Sequence, residues 1–359
     1  MNKKQNQKKK KEVRNPKGKT SAAPVSRFRR IARWTVIGAL ALFALLCTGG
    51  AWFARHPPTW LEQKRQSLPA FVFAPLMYFG DRTLMLTDAL GWTGHDAVYD
   101  CDDPPPAGQV LYAGRPKRIA LPAPTDIKVL DRGEFVIGWS DSLQHPVWVA
   151  YHVPPEARFE VGKRPSFRKD RSVATSPAAA AYERTGYDRG HMAPNRAIVT
   201  RFGPEEQAKT FLMSNIAPQS PALNRGPWRE LEQRISDLWA LRWGEIWVIC
   251  GAISGTDNHS RQTLSGTRID VPESFWMLIV AQAEDGVRAL ALVLPQSVSY
   301  ADFPTHRIVT IDELEKLTGL DLLPDLPSYL QSALQADRPT RLWPIRVRDL
   351  LKLILLRFT

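Results

Sequence analysis

Hydrophobic positions form one long uncharged run near the start of this chain and short segments in the rest of it. The long run predicts a membrane-spanning helix, and the short segments predict a folded domain. One apolar run, Trp34–Ala54, holds 21 residues without a charge between Arg33 and Arg55. As a helix rising about 1.5 Å per residue, it matches the ~30 Å hydrocarbon core of a bilayer. We expect residues 34–54 to be an uncleaved transmembrane helix, because the basic leader is long for a signal peptide. Cleavage near Gly49-Gly50-Ala51 is the alternative.

Beyond this run the apolar segments are short and predict a mixed α+β domain from about residue 106. Runs rich in β-branched and aromatic residues, bounded by turn formers, predict strands. These runs are Glu134–Trp139, Pro146–His152, Gly244–Cys250, Ser274–Val280 and Val287–Leu294. The last two predict the arms of a hairpin that turns at residues 284–286.

A helical pattern appears in several other segments. Gly226–Trp243 carries an apolar stripe at helical spacing, and Thr310–Thr318 has acidic residues in its first turn and Gly319 as its stop. Thr83–Leu90 predicts a short helix near the membrane. Leu68–Phe79 is apolar but is broken by prolines, which argues against a second span.

Charge is distributed very unevenly. The chain has 48 Lys and Arg against 36 Asp and Glu, a formal net charge of +12. Residues 1–33 hold 13 of the basic residues and one acidic residue, so the remainder is formally neutral. We expect residues 1–33 to be a disordered cytoplasmic tail, since basic segments flanking a span stay on the cytoplasmic side. The net charge is therefore first a sign of which side of the membrane residues 1–33 occupy. It is not by itself a sign that the rest of the chain binds nucleic acid.

Cysteine content limits the class of protein further. Three cysteines exclude a disulfide-rich scaffold, and no CxxC or Cys/His cluster indicates structural zinc. Cys250 lies in an apolar strand, where a buried free thiol is the usual state. A Cys101–Cys250 disulfide would be permitted outside the cytoplasm, but the sequence does not establish one.

The segment Gly186–Asn195, which reads GYDRGHMAPN, holds the best candidate for acid–base chemistry. His191 follows a glycine in a loop that leaves a predicted strand, with an acid and a base close by. A histidine there can act as a general base near neutral pH. A structural or surface histidine is the alternative.

A second group of candidates starts at the predicted helix 226–243. Asn224 lies at its entry, and Glu232 lies eight residues further on, which returns to the same helical face. An amide oxygen and a nearby carboxylate suit Mg²⁺, which keeps most of its water ligands. An Asn helix cap with an exposed Glu would produce the same pattern.

The blocks YDRGHMAPN, FLMSNIAPQ and LNRGPWRELE together resemble the three signature blocks of the DNA/RNA non-specific endonucleases. The similarity runs from about residue 107 to 327. It implies a ββα-metal (His-Me finger) nuclease domain of α+β class, with a central antiparallel sheet flanked by helices. It also implies a Mg²⁺ cofactor, with Mn²⁺ as a possible substitute.

The resemblance assigns roles residue by residue. His191 would be the general base, Asn224 the direct metal ligand, and Glu232 the holder of water on the metal. Asn215 would orient the histidine or contact the phosphate. Arg189, together with Asp188, would brace the loop and approach the phosphate.

The family also uses an upstream arginine against the transition-state charge. Arg164 is our candidate for that role, and Arg168 is the alternative, because the spacing from this region to the DRGH block is shorter than in the relatives.

The sequence thus predicts a Mg²⁺-dependent, sequence-nonspecific endonuclease anchored in the cytoplasmic membrane, with its nuclease domain periplasmic or extracellular. Its expected partners are DNA and RNA, single- or double-stranded, and the lipid bilayer through residues 34–54; the sequence leaves protein partners open. Secretion after signal cleavage and a catalytically silent nucleic-acid-binding or DNA-uptake protein are the alternatives. The expected segments are a tail (1–33), the span (34–54), a juxtamembrane linker (55–106), the nuclease domain (107–327) and a C-terminal helical extension (328–359).

Overall fold

A computed structural model describes residues 25–54, 58–89, 98–100, 109–255, 261–283, 286–299, 304–339 and 341–345. Contacts divide the chain at Leu45 into two compact units, which are described separately. Residues 1–24 lie outside the described residues. So do residues 90–97 and 101–108, which include Cys101, and the C-terminal residues 346–359.

The helices are α1 (Val25–Ala54), α2 (Pro58–Ser67), α3 (Ala70–Ala89), α4 (Asn195–Phe202), α5 (Pro204–Thr210), α6 (Pro221–Arg225), α7 (Pro227–Gln233), α8 (Ala240–Trp243), α9 (Ile311–Thr318) and α10 (Ser328–Ala336). The strands are β1 (Lys117–Arg118), β2 (Ile127–Asp131), β3 (Phe135–Ser140), β4 (His145–Val153), β5 (Asp188–His191), β6 (Ile216–Gln219), β7 (Ile246–Ile253), β8 (Ser274–Ala283), β9 (Gly286–Pro295), β10 (Ile308–Val309) and β11 (Leu320–Asp321).

Helix α1 contains the predicted span. Its stretch Trp34–Phe53 is long and apolar enough to cross a membrane, with a mean hydropathy of 2.0 and 11% of it buried. A signal sequence near the N-terminus has the same properties. The structure therefore has one N-terminal apolar helix that is either a single span or a signal sequence.

The end of α1 packs on α2 and α3 within the second unit. The Phe53 ring lies 5.1 Å from the Trp60 ring and 5.7 Å from the Phe73 ring, measured between centroids. Phe53 and Met77 are buried there. The predicted short helix 83–90 forms the second half of α3, which the structure describes as far as Ala89. Pro75, which was expected to break the apolar segment 68–79, lies inside the same helix.

A seven-stranded antiparallel sheet forms the centre of the second unit, in the order β10-β9-β8-β7-β4-β3-β2. The five strands predicted from the sequence are all present in it, each within a few residues of its predicted bounds. Strands β8 and β9 form the predicted hairpin, in which Ala283 pairs with Gly286. The edge strands β2 and β10 were not predicted from the sequence.

Successive side chains along each strand point to opposite faces of the sheet, and both faces are covered by a hydrophobic core. Phe135, Ile137 and Tyr151 point into one core, and Val136 and Ala150 point into the other. We call the first the ribbon face, because the two-stranded ribbon of β5 and β6 covers it together with α7. We call the second the α9 face, because α9 and α10 cover it.

The predicted helix 226–243 is present but is not uniform. It starts at Pro227, becomes π-helical over Arg234–Trp239 and ends at Trp243, before Gly244 at a φ of +89°. The predicted helix 310–318 is α9. Thr310 caps it and accepts a hydrogen bond from the Glu313 amide, and Gly319 ends it in the left-handed conformation.

The described part of the C-terminal extension packs on both faces of the central sheet. Leu330 and Leu334 of α10 are buried in the α9 face, whereas Trp343 is buried in the ribbon face. The Trp239 indole donates to the Trp343 carbonyl at 3.1 Å. This segment therefore contacts both cores, which the sequence pattern did not indicate.

Candidate active site

The ribbon of β5 and β6 holds His191 and Asn215 next to each other. Residues 188–191 pair antiparallel with residues 216–219, so that His191 lies opposite Ile216. The buried Asn215 side chain accepts from the Ala193 amide at 2.8 Å and donates to the carbonyls of Ala193 and Thr210 at 2.9 and 3.0 Å. Its amide therefore fixes the backbone that follows His191. This geometry makes Asn215 a positioning residue rather than a phosphate contact.

The imidazole of His191 packs against two phenylalanine rings that also contact each other. Its centroid is 5.2 Å from that of Phe167 and 4.9 Å from that of Phe211. Burial, together with the positive charge of Arg164, lowers the pKa of His191 to about 3. Among the described residues, the His191 Nε2 atom is buried without a hydrogen-bond partner. The lowered pKa keeps the ring neutral near pH 7, and the described residues leave its Nε2 unsatisfied beside the cavity.

An arginine lies against each of these two phenylalanine rings. The guanidinium carbon of Arg164 is 5.6 Å from the Phe211 centroid, and that of Arg189 is 5.5 Å from the Phe167 centroid. Arg189 also donates from Nε and Nη2 to the Ala179 carbonyl at 2.9 and 2.7 Å. Arg164 and Arg189 both line the cavity that contains His191.

Arg168, the alternative to Arg164, lies outside this lining. Its backbone amide donates to the Phe211 carbonyl at 3.1 Å, and its carbonyl accepts from the Met213 amide at 2.9 Å. The structure therefore brings Arg164 to His191 and leaves Arg168 on the neighbouring surface.

Asp188 orients the predicted metal ligand. Its Oδ2 accepts from Nδ2 of Asn224 at 2.9 Å, and the Arg225 guanidinium donates to both carboxylate oxygens at 2.8 and 2.6 Å. Burial alone would raise the pKa of Asp188, but the hydrogen bonds from Arg225 and Asn224 lower it overall. The Asp188 contact holds the amide nitrogen of Asn224, and the Asn224 side chain lines the cavity.

Glu232 lines the same cavity from α7. Its Oε1 accepts from the Trp228 indole at 3.0 Å, one helical turn earlier. Burial raises the pKa of Glu232 to about 8, although Trp228, Arg229 and Arg164 act in the opposite direction. A carboxyl group buried in this way becomes ionised most readily when more positive charge enters the cavity.

The cavity encloses about 730 Å³ and is strongly cationic. Asp188 and Glu232 are the carboxylates of its lining, and the arginines outnumber them. These arginines are Arg164, Arg189, Arg196, Arg225 and Arg229. A chain that is formally neutral after residue 33 thus has a local concentration of positive charge at this point.

The site fits a hydrated divalent cation better than a fully protein-ligated one. Within the described residues, no group of three or more His, Cys, Asp and Glu side chains could hold a metal ion. Mg²⁺ binds through one or two protein oxygens and keeps its waters. The oriented Asn224 amide oxygen and the Glu232 carboxylate across the cavity match that requirement.

Five of the six site residues predicted from the sequence line the cavity: Arg164, Arg189, His191, Asn224 and Glu232. The sixth, Asn215, lies behind the histidine. The motifs in the sequence did not indicate the two phenylalanines, the Trp228–Glu232 contact or the Arg225–Asp188 pair. Of these contacts, the one between Trp228 and Glu232 could have been predicted, because their i, i+4 spacing in the predicted helix makes them neighbours.

Cys250 lies beneath this site. Its thiol is free and buried, and it donates to the carbonyl of Met192, the residue after His191, at 3.3 Å. Burial raises its pKa well above the ordinary value. The proposed partner Cys101 lies outside the described residues, so the disulfide remains untested.

Comparison with known proteins gives a consistent family. The family described as DNA/RNA non-specific endonuclease matches residues 116–328, which is more than half of the chain. The mitochondrial nuclease of Saccharomyces cerevisiae is 31% identical over 226 residues, which cover 57% of this chain and 68% of that protein. The nuclease of Serratia marcescens is 29% identical over 218 residues, which cover 57% of this chain and 78% of that protein.

Solved structures agree at the level of the fold. The chain in a crystal structure of the EndoG/EndoGI complex superposes with a TM-score of 0.51 at 23% identity, covering 55% of this chain and 86% of that one. The antiparallel sheet with its flanking helices is therefore shared with a chain of that complex.

Proposed function

Since the chain belongs to the DNA/RNA non-specific endonuclease family, which hydrolyses phosphodiesters, we propose that its reaction takes place in the cavity between β5 and α7. One observation carries this proposal. A neutral histidine with an unpartnered buried nitrogen shares a cationic cavity with an oriented amide oxygen.

His191 acts as the general base. It removes a proton from the attacking water through Nε2, which the phenylalanine rings hold in a fixed direction. Its lowered pKa keeps the imidazole neutral, so that it starts each turnover able to accept a proton. The amide contacts of Asn215 keep the backbone after His191 in place as the ring becomes charged.

Asn224 and Glu232 hold the divalent cation, for which Mg²⁺ is our proposal. Bound there, such a cation neutralises charge on the phosphate and on the leaving oxygen. Asp188 contributes by fixing the amide of Asn224, and Trp228 contributes by fixing the carboxyl group of Glu232.

Arg164 and Arg189 bind the non-bridging phosphate oxygens and stabilise the additional charge of the transition state. Groups of this kind contact phosphate and read no base edge, so sequence preference is weak. We therefore propose that both DNA and RNA, single- or double-stranded, are substrates.

We also propose that α1 is retained as a membrane anchor. The last turn of α1 supports this, because Phe53 is buried against α2 and α3 and Gly50 lies against the backbone of Gly80. Cleavage near Gly49–Ala51 would remove part of this packing. Intact mass measurement of the mature protein, together with its extraction behaviour at alkaline pH, tests retention. A mature N-terminus near residue 52 would show a secreted protein instead.

The nuclease proposal is tested with the full chain in detergent. We expect it to cleave single- and double-stranded DNA and RNA with Mg²⁺ and to stop when EDTA is added. His191→Ala should lower the rate by about 10²–10⁴-fold while the protein stays folded. A folded wild-type chain that binds nucleic acid but cleaves none would indicate the catalytically silent alternative.

A further inference from the structure

A line of exposed cations runs past the mouth of the cavity on residues 161–171, which we call the basic strap. Its exposed basic residues are Lys163, Arg164, Arg168, Lys169 and Arg171. Arg164 reaches into the cavity lining, while the other four stay outside it. The strap therefore continues the positive charge of the cavity onto the neighbouring surface.

Asp170, the one acidic residue of the strap, is turned inward. Its carboxylate is buried, pairs with Arg132 and accepts hydrogen bonds from Ser172 and Ser214. Burial alone would raise the pKa of Asp170, but these hydrogen bonds and the charge of Arg132 lower it overall. The inward carboxylate therefore does little to neutralise the outward face of the strap.

The four outer cations have no ion-paired or hydrogen-bonded side-chain partner in the part of the chain that the structure describes. Within those described residues, some basic side chains of the same unit are paired, such as Lys209 with Glu206 at 2.6 Å, and others, such as Lys316, are not. What sets the four apart is their place in the chain beside Arg164 and Phe167 of the cavity lining. Clustered like charges repel one another and attract a polyanion.

The strap is also fixed close to the reacting centre. The backbone of Arg168 is bonded in both directions to the segment that carries Phe211, and Phe167 packs on His191. Arg168 lies four residues after Arg164, so their Cα atoms are at most about 14 Å apart. Arg168 is thus within reach of the phosphates that flank the one in the cavity, and Lys163 and Lys169 are the chain neighbours of Arg164 and Arg168.

We propose that Lys163, Arg168, Lys169 and Arg171 form an outer phosphate-binding track that holds a polynucleotide while one phosphodiester occupies the cavity. The inference rests on the proposed function, because that function supplies the strand that the track would hold. Each phosphate contact releases condensed counterions. The track therefore adds affinity that falls with salt, and it adds no sequence preference.

Binding is measured on the His191→Ala chain, so that cleavage does not interfere. The probes are a fluorescein-labelled DNA single strand and a labelled duplex, each about 20 nucleotides long, titrated between about 50 and 200 mM salt. The test variant also carries Lys163→Gln, Arg168→Gln, Lys169→Gln and Arg171→Gln. The matched control instead carries Arg115→Gln, Lys117→Gln, Arg118→Gln and Lys316→Gln, which removes the same number of charges from exposed residues at β1 and on α9.

We expect the test variant to bind about tenfold or more weakly and to lose roughly 0.9 from the salt slope for each duplex phosphate contact removed, whereas the control matches its parent. In the active chain, KM should rise for a long strand much more than for bis(p-nitrophenyl) phosphate. Affinity and salt slope within about twofold of the parent would overturn the proposal. Failure of the nuclease function would appear differently, as a wild-type chain that cleaves nothing, and the binding comparison would still decide on the track.

Discussion

The two faces of the central sheet are built from the same strands but differ in where their titratable side chains lie. On the α9 face, Thr310 and Glu313 close a capping box, and Leu314 and Leu330 fill the core. On the ribbon face, β5 and α7 place a histidine with an unpartnered nitrogen and a carboxyl group with a raised pKa at the wall of a cationic cavity. Unpaired polar groups are unfavourable in a folded chain, and they persist where the molecule binds a ligand or does chemistry.

The comparison predicts that substitutions on the two faces separate activity from stability. Ribbon-face residues of the cavity should affect turnover with little effect on the free energy of unfolding. α9-face residues should do the opposite.

The largest separation is expected for Asn224→Ala. Loss of the amide oxygen should lower Mg²⁺-dependent cleavage by about 10³-fold, equivalent to about 4 kcal/mol in the barrier. The free energy of unfolding without metal should change by about 1 kcal/mol or less, because the side chain lies at the cavity surface. Initial rates over a Mg²⁺ titration and urea unfolding measure the two effects. Wild-type rates at every Mg²⁺ concentration would remove Asn224 from the metal site.

Two buried leucines, Leu314 and Leu231, test the opposite case, in which a substitution lowers stability. Leu314→Ala on α9 should lower the free energy of unfolding by about 2–5 kcal/mol, since Leu314 is fully buried, and should leave turnover per folded molecule unchanged. Leu231→Ala on α7, equally buried but next to Glu232, should lower both. Equal effects of the two substitutions on turnover would contradict the division between the faces.

Asp188→Asn should have a smaller effect than Asn224→Ala. An amide at residue 188 keeps an acceptor but loses the charge that holds Asn224 and Arg225, so the geometry loosens without collapsing. Groups that orient metal ligands typically contribute 10- to 100-fold, and we expect about that loss of activity. A higher Mg²⁺ concentration at half-maximal rate would separate this effect from a defect in nucleic-acid binding. An unchanged Mg²⁺ response would show that the Asp188 contact is only structural.

The smallest effect concerns Glu315 on the α9 face. Burial, reinforced by Asp321 and Asp312, raises its pKa to about 7, although the hydrogen bond from the Leu322 amide lowers it. A raised folded-state pKa means that the protonated form stabilises the fold fully below the unfolded pKa of about 4.3. That contribution is lost as pH rises through about 7. Glu315→Gln should therefore gain stability relative to wild type between about pH 5 and 8, without any change in the pH dependence of turnover. Parallel stability curves for the two proteins would contradict this assignment.

The sequence predicted the central strands well, because β7, β8 and β9 are continuous β-branched and aromatic runs that match a sheet buried on both faces. It missed β2, a half-exposed edge strand that mixes charged and apolar residues. It also missed the π-helical turn after Gln233, which depends on packing rather than on local preference. Edge strands and helical irregularities are decided by neighbours that lie far away in sequence.

The candidate site shows the same limit. His191, Asn224 and Glu232 could be identified because they lie in short motifs with a characteristic spacing. Phe167 and Phe211, however, reach His191 from 24 residues before it and 20 after it, and no local pattern indicates that they hold its ring. Their contribution depends on tertiary packing, which also produces the lowered pKa of the histidine.

The most direct test of the central claim is the cleavage rate of the His191→Ala chain with Mg²⁺, measured without and with added imidazole. If His191 is the base, the rate should fall by about 10²–10⁴-fold, and imidazole that enters the vacated space should restore part of it. The same sample should unfold within about 2 kcal/mol of wild type, as expected for a ring at a cavity wall. Near wild-type cleavage by the folded variant without imidazole would contradict the assignment of this cavity as the hydrolytic centre.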